Sequence, residues 1–253
     1  MLDRSTERGI TTIRLAHGKA SALDVELVRA LDDAFKAVEK DPTAKALVLT
    51  GTGSIFCAGV DLFRVVKEGP AYAERFVPPL AAMFLRLFSF PKPVVAAVNG
   101  HAIAGGCVMT CAADYRLMAD GKGTIGVPEL TVGVPFPLVA IEIMRYAVGS
   151  GPMQRLAFAG RTYAPAAAQA HGLVDEVVES ARLLDQAREI ALRLSAEPAQ
   201  RFRITKQQLR EPTRLSIQRH ADETDGAVLR AWQDPETIKA IAAYLETLGR
   251  RAP

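Results

Sequence analysis

The stretch from Pro93 to Val108 constrains this chain more than any other part of its sequence. Pro93–Val98 is a short, valine-rich apolar run, which predicts a buried strand. Asn99-Gly100 and Ala104-Gly105-Gly106 follow it, and then a segment of helical character begins. Glycines leave main-chain N–H groups uncovered, and the first N–H groups of a helix have no internal partner. The junction is therefore suited to stabilising an oxygen that carries negative charge.

The same pattern occurs once more upstream. Ala46–Thr50 predicts a strand, Gly51–Gly53 a turn, and Phe56–Leu62 a return toward a helix that contains a second Ala-Gly pair. Two strand-to-helix turns in neighbouring units could each offer one N–H group to the same carbonyl oxygen. Such a pair of donors is an oxyanion hole.

These two segments, Phe56–Leu62 and Asn99–Val108, resemble the crotonase (enoyl-CoA hydratase/isomerase) superfamily, and the resemblance covers nearly the whole chain. It implies an α/β fold, a spiral of repeated ββα units with a helical C-terminal region. It also implies an acyl-CoA thioester substrate whose enolate oxygen is held by the N–H groups of Val60 and Gly105. Coenzyme A would then be part of the substrate, and no separate cofactor is expected.

The resemblance also locates two positions at which the hydratases of the family carry glutamate. The first corresponds to Val108, which cannot transfer a proton, and the second to Glu129 in the Pro128–Glu129 pair. Hydration is easiest with two groups that manage the water, whereas moving a double bond needs only one. The pattern is thus most similar to Δ3,Δ2-enoyl-CoA isomerases, in which Glu129 would take a proton from C2 and return it at C4.

The residues around Glu129 are apolar in sequence: Pro128, Leu130, Val134 and Phe136. If they also surround its side chain, they raise its pKa and make it a better base. A solvated loop carboxylate is the simpler interpretation of an isolated glutamate, and the motif favours catalysis over it.

The resemblance further implies that Ala58 and Leu62 lie beside the CoA part of the substrate, and Gly106 is predicted to contribute to the same binding site. Four basic residues, Arg64, Lys67, Lys92 and Lys206, could pair with CoA phosphates, although surface solubility is the default interpretation of each. His101 lies near the motif but has no evident serine or acidic partner. Because a Gly-x-Ser-x-Gly motif is also missing from the sequence, a Ser-His-Asp hydrolase is disfavoured.

Composition excludes several other classes of protein. The net charge of +3 is too small and too dispersed to imply nucleic-acid binding. The three cysteines, Cys57, Cys107 and Cys111, suggest buried packing rather than disulfides, and no histidine or carboxylate completes a metal site with them. Without a run of membrane-spanning length, and with a charged N-terminus, the chain is expected to be a cytoplasmic protein with no membrane partner.

Alternating strands and helices predict a parallel sheet up to about residue 195 and a helical region from 196 to 253. In the resembling family such a region serves trimer assembly, so a homotrimer or a dimer of trimers is expected. Its last helix has apolar residues from Ile238 to Leu248 at helical spacing. Proline positions predict a helix interrupted at Pro78-Pro79 and new helices starting near Pro198, Pro212 and Pro235.

Two alternatives stay open at this point. Within the fold, the chain could be a hydratase, a dehydratase or an acyl-CoA hydrolase, because one enolate platform supports several reactions. Outside enzymology, it could be a non-catalytic acyl-CoA-binding protein.

Overall fold

The computed structural model describes residues 1–249, so the last four residues of the predicted C-terminal region, and the side chain of Leu248, lie outside the description. The strands are β1 (Leu2–Glu7), β2 (Ile10–Leu15), β3 (Ala46–Thr50), β4 (Ile55–Cys57), β5 (Val94–Val98), β6 (His101–Ile103), β7 (Tyr115–Ala119), β8 (Ile125–Gly126), β9 (Thr162–Tyr163) and β10 (Glu176–Val178). The helices are α1 (Val25–Lys40), α2 (Leu62–Glu68), α3 (Pro70–Phe88), α4 (Gly105–Ala112), α5 (Glu129–Val132), α6 (Leu138–Val148), α7 (Ser150–Ala159), α8 (Pro165–Ala170), α9 (Leu183–Leu194), α10 (Ala199–Gln233) and α11 (Pro235–Gly249).

Two sheets organise the molecule. The larger has the strand order β1-β2-β3-β5-β7-β10 and is parallel except for β1 against β2, and the smaller has the order β4-β6-β8-β9. Three successive units place one strand in the large sheet and one in the small sheet and then form a helix: β3-β4-α2, β5-β6-α4 and β7-β8-α5. The predicted spiral of ββα units is therefore confirmed. Strands β3 and β5 are buried along their whole length, which explains their continuous apolar sequences.

Strand β1 is not apparent from the sequence. Five of its six residues are exposed, so it carries little of the apolar alternation that marks a strand. It forms because Arg8 and Gly9 take positive φ angles of 51° and 82° and turn the chain back on β2 at the edge of the sheet.

Two proline-based predictions are wrong. Helix α3 continues through Pro78 and Pro79, and α10 runs for 35 residues through Pro212. Proline removes a backbone donor from a helix, but packing on both sides can outweigh that cost. In α3 Phe76 and Leu80 are both buried on either side of the prolines. The predicted starts at Pro198, the N-cap of α10, and at Pro235, the first residue of α11, are confirmed.

A buried cluster of charges holds α10 to the core. Asp114 accepts hydrogen bonds from Lys206 Nζ at 2.6 Å and from Arg210 Nη2 at 2.7 Å. Arg210 also donates to the carbonyl oxygens of Phe88, Ala112 and Ala113, at the ends of α3 and α4. Burial lowers the pKa of Lys206 to about 8. The expected surface position of Lys206 is therefore wrong.

The C-terminal helices also pack on the hydrophobic core through Ile217, Val228, Trp232 and Ile241. Helix α11 lies against α2 and α5. The division of the chain at residue 195 and the use of these helices in trimer assembly stay predictions.

No helix within residues 1–249 combines the length and the apolar character needed to cross a membrane. Within the same residues, histidine, cysteine and carboxylate side chains form no cluster of three or more that could hold a metal ion.

Candidate active site

The two glycine-rich turns of the sequence meet at one point of the structure. Leu23 joins the first turn by accepting a hydrogen bond from Asp61 N at 3.0 Å and by donating from its own N–H to Gly59 O at 2.7 Å. Gly59 has a φ angle of +82°, and a β-carbon there would lie 2.7 Å from the β-carbon of Ala104 in the second turn. Only glycine allows this close approach of the two turns.

Each turn leaves one main-chain N–H group free. The N–H groups of Val60 and of Gly105 donate to no other group in the described part of the chain. Gly105 is the first residue of α4, where N–H groups have no partner within the helix. Ala104, which precedes it, has a φ angle of +52°. This conformation is energetically unfavourable for any residue other than glycine. Both free N–H groups belong to residues that line one cavity.

This cavity has a volume of about 800 Å³, at the upper end of the roughly 300–1,000 Å³ of small-molecule sites. Ala58 and Leu62 line it, as predicted for substrate contact, and their roles stay predictions. Gly106 does not lie among the lining residues. It is buried behind the second turn, where a β-carbon would lie 2.4 Å from the carbonyl oxygen of Cys57, so its small size lets α4 pack on β4.

Glu129 lies on the cavity wall as the first residue of α5. It is only 9% exposed, and its Oε2 atom has no hydrogen-bond partner in the described structure. Burial raises the pKa of Glu129 to about 8. A carboxyl group with this pKa holds a proton at neutral pH but releases it readily, as proton transfer near pH 7 requires.

The apolar surroundings of Glu129 differ in part from the sequence expectation. Pro128 and Val134 line the cavity beside it, together with Val132. Leu130, by contrast, is 49% exposed, because neighbouring residues of a helix point in different directions.

Val108 also lines the cavity and is 1% exposed. It lies on α4 one turn after Gly105, so an apolar side chain occupies the position at which a second acid was considered. Within residues 1–249, the cavity is also lined by His17 and by the charged residues Lys19, Asp61 and Arg161.

Asp61 is the N-cap of α2 and accepts a hydrogen bond from Arg64 N at 3.1 Å, so it stabilises the start of that helix. The sequence analysis missed His17, which lines the cavity and whose Nε2 atom is 2.7 Å from Asp24 Oδ2. Nothing in the local sequence marks this pair. His101 forms a hydrogen bond with Thr124 instead of lining the cavity.

Three of the four basic residues considered for CoA phosphates have other partners, and one of them is Lys206, which pairs with Asp114. Arg64 pairs with Glu26 and Glu68, and Lys92 donates to the carbonyl oxygens of Val38 and Asp41, both at 2.7 Å. Lys67 is exposed.

The chain is similar to known proteins over most of its length. The family model of enoyl-CoA hydratase/isomerase matches residues 5–251. Enoyl-CoA delta isomerase 1, mitochondrial, of Rattus norvegicus is 29% identical over 256 residues, which cover 99% of this chain and 88% of the rat protein. A putative enoyl-CoA hydratase of Thermus thermophilus is 36% identical over 188 residues, 73% of this chain and 72% of that protein. The crystal structure of human mitochondrial delta3-delta2-enoyl-CoA isomerase has a TM-score of 0.94 and covers 100% of this chain and 99% of its own. At 23% identity it supports the fold alone.

Proposed function

Because the chain belongs to the enoyl-CoA hydratase/isomerase family, we propose that it moves the double bond of a 3-enoyl-CoA to position 2, with Glu129 as the proton carrier. In the first step the Glu129 carboxylate takes a proton from C2, the C2–H electron pair enters the conjugated system, and a dienolate forms. In the second step Glu129 returns the proton to C4, and a 2-enoyl-CoA results. The reaction neither consumes water nor needs another reactant.

The observation that carries this proposal is the presence of one buried acid and one buried apolar residue in the lining of the same cavity. Glu129 has an unpartnered carboxyl oxygen, whereas Val108 offers only carbon at the second position. A single acid can serve both proton transfers of an isomerisation. Hydration needs a group that positions and deprotonates water while another proton reaches carbon, and one carboxyl group meets that need less readily.

In this proposal the N–H groups of Val60 and Gly105 hold the thioester oxygen as it becomes negative. This assignment is supported by the two N–H groups, which are free donors on adjacent turns that line the cavity. Removing one donor of such a pair reduces kcat by about 10²–10³-fold in enzymes where it has been measured. Ala58 and Leu62 are proposed to contact the CoA part of the substrate, which supplies the only coenzyme the reaction uses.

The test compares two substrates. We expect 3-hexenoyl-CoA to be converted to 2-hexenoyl-CoA at least tenfold faster than crotonyl-CoA is hydrated. Glu129→Gln should abolish isomerisation but leave binding of hexanoyl-CoA intact, as measured by calorimetry. Glu142→Gln is the matched control, because Glu142 is also buried but pairs with Arg145 instead of lining the cavity.

Other outcomes would contradict the proposal. Fast hydration of crotonyl-CoA without isomerisation would identify a hydratase, and release of free CoA would identify a hydrolase. Binding without turnover across a broad acyl-CoA panel would identify a non-catalytic acyl-CoA-binding protein.

Assembly and location are part of the same proposal. We expect a homotrimer or a dimer of trimers, which light scattering after size-exclusion chromatography measures, and a cytoplasmic location, which cell fractionation measures.

A further inference from the structure

The cavity changes character along its length. Lys19 and Arg161 are exposed, so the charged part of the lining lies at the mouth. The lining residues contributed by α3 and α10 are buried and apolar: Phe84 is 1%, Leu80 is 3% and Trp232 is 3% exposed. The part of the cavity formed by α3 and α10, called the inner part below, is therefore lined by carbon.

Trp232 is held in one position at this inner part. Its Nε1 atom donates a hydrogen bond to Pro135 O at 3.2 Å. Pro135 belongs to the segment that follows Glu129. The residue before it, Val134, donates a hydrogen bond from its N–H to the carbonyl oxygen of Glu129 at 3.0 Å. The next residue on α10, Gln233, donates from Nε2 to Glu74 Oε1 on α3 at 2.8 Å. The indole is 3% exposed, and it would lose its hydrogen bond to Pro135 O if it swung away from the cavity.

The hydrogen bond also decides what the indole offers to a ligand. Indole has one polar group, and in Trp232 that group is used by Pro135. The ring therefore presents only carbon to the cavity. A carboxylate or hydroxyl group placed against it would lose its hydration and gain no partner.

We propose that Trp232 forms the inner wall of the acyl subsite, limits the length of the acyl chain, and restricts the site to aliphatic acyl groups without charged or hydroxyl substituents. This inference rests on the proposed acyl-CoA function. It goes beyond that function because it assigns substrate selection to the C-terminal region and to a residue outside both sequence motifs.

A fluorescence experiment tests the position of Trp232. The chain has a single tryptophan, so its emission, excited at a wavelength that tyrosine does not absorb, reports on this residue alone. The full-length protein is titrated with CoA, acetyl-CoA and octanoyl-CoA, and binding of each is measured in parallel by calorimetry. We expect octanoyl-CoA to change the emission, and acetyl-CoA and CoA to leave it unchanged.

The outcomes separate this inference from the proposed function. If calorimetry shows that octanoyl-CoA binds but the tryptophan emission is the same with octanoyl-CoA as with CoA, Trp232 is not at the acyl subsite. The proposed function would still stand in that case. If no acyl-CoA binds, both the proposed function and this inference fail. Succinyl-CoA, with its charged acyl end, should bind at least tenfold more weakly than octanoyl-CoA, and equal binding would overturn the restriction to aliphatic groups.

A second experiment tests the limit on chain length. Trp232→Leu should raise the ratio of kcat/KM for 3-dodecenoyl-CoA to kcat/KM for 3-hexenoyl-CoA at least tenfold, and Trp232→Phe should raise it less. Both replacements keep an apolar side chain, so folding can be checked and compared. Tyr146→Leu is the control, because Tyr146 is a 40% exposed aromatic residue that does not line the cavity. A ratio that does not rise in Trp232→Leu would refute the limit.

Discussion

Replacing Glu129 by glutamine should change the way in which stability depends on pH. The carboxyl group of Glu129 is buried without a partner for Oε2, and burial raises its pKa to about 8 from an ordinary value of 4.5. Between these two values the folded protein binds a proton at Glu129 that the unfolded chain has released. Raising the pH through this range therefore favours the unfolded chain.

The size of the effect follows from the two pKa values. They are separated by about 3.5 pH units, and each unit corresponds to ~1.36 kcal/mol, so ionising Glu129 in the folded state costs about 5 kcal/mol. This contribution to stability is complete below pH 4.5 and is lost as the pH rises through 8. Glutamine cannot ionise, so the variant lacks the loss. The unfolding free energy of Glu129→Gln minus that of wild type should therefore increase with pH, by up to about 1.4 kcal/mol per pH unit.

The measurement is urea unfolding of wild type and Glu129→Gln at pH 5, 6, 7 and 8, at one protein concentration. The trend with pH is the test, because a constant offset reports only the exchange of an acid for an amide. An exposed control, Glu211→Gln, shows whether any such exchange gives the same trend. If the unfolding free energies of wild type and Glu129→Gln change in parallel from pH 5 to 8, the carboxyl group is not buried as described. Glu129 would then lack the raised pKa that suits it to act as a base.

Three further predictions concern activity and packing. With 3-hexenoyl-CoA, kcat/KM should rise with pH and level off above an apparent pKa near 8, since only the ionised Glu129 accepts a proton, and a flat profile from pH 6 to 9 would contradict that role. Gly59→Ala should reduce kcat by about 10²–10³-fold with little change in KM, because its methyl group would push the two turns apart, and steady-state kinetics measures both constants. Arg210→Met should lower the unfolding free energy by about 3–5 kcal/mol, because it leaves Asp114 and three carbonyl oxygens short of a donor. The exposed Arg219→Met should change it by no more than about 0.5 kcal/mol, and equal effects of the two variants would contradict the importance of the buried cluster.

Local patterns made much of the fold predictable. Strands β3 and β5 are buried on both faces, so their sequences are continuously apolar and easy to identify. The cap at Asp61 and the helix end at Gly172, with its φ angle of +73°, follow from short-range hydrogen bonding and backbone geometry. The helix interruption predicted at Pro78 and the helix start predicted at Pro212 do not occur, because contacts of residues distant in sequence keep those helices continuous.

The residues of the candidate site also fall into those that the sequence identified and those that it did not. The two turns could be identified because each is contiguous in sequence, and Val108 and Glu129 could be identified from the family resemblance that those turns carry. In the structure, residues of both turns line one cavity together with Val108 and Glu129. Trp232 could not be identified, since it lies about a hundred residues after Glu129 and carries no motif.

By itself, the sequence determined the two strand-to-helix turns, the presence of one acid at two positions where the resembling family's hydratases carry glutamate, and the glycines of those turns. These properties depend on residues close together along the chain, whose dihedral preferences and spacing are local. Only the tertiary structure decided that Gly106 packs behind the turn, that Lys206 and Arg210 meet Asp114 in the interior, and that Trp232 lines the cavity. Those contacts join residues far apart in sequence, and burial alone sets what each contact is worth.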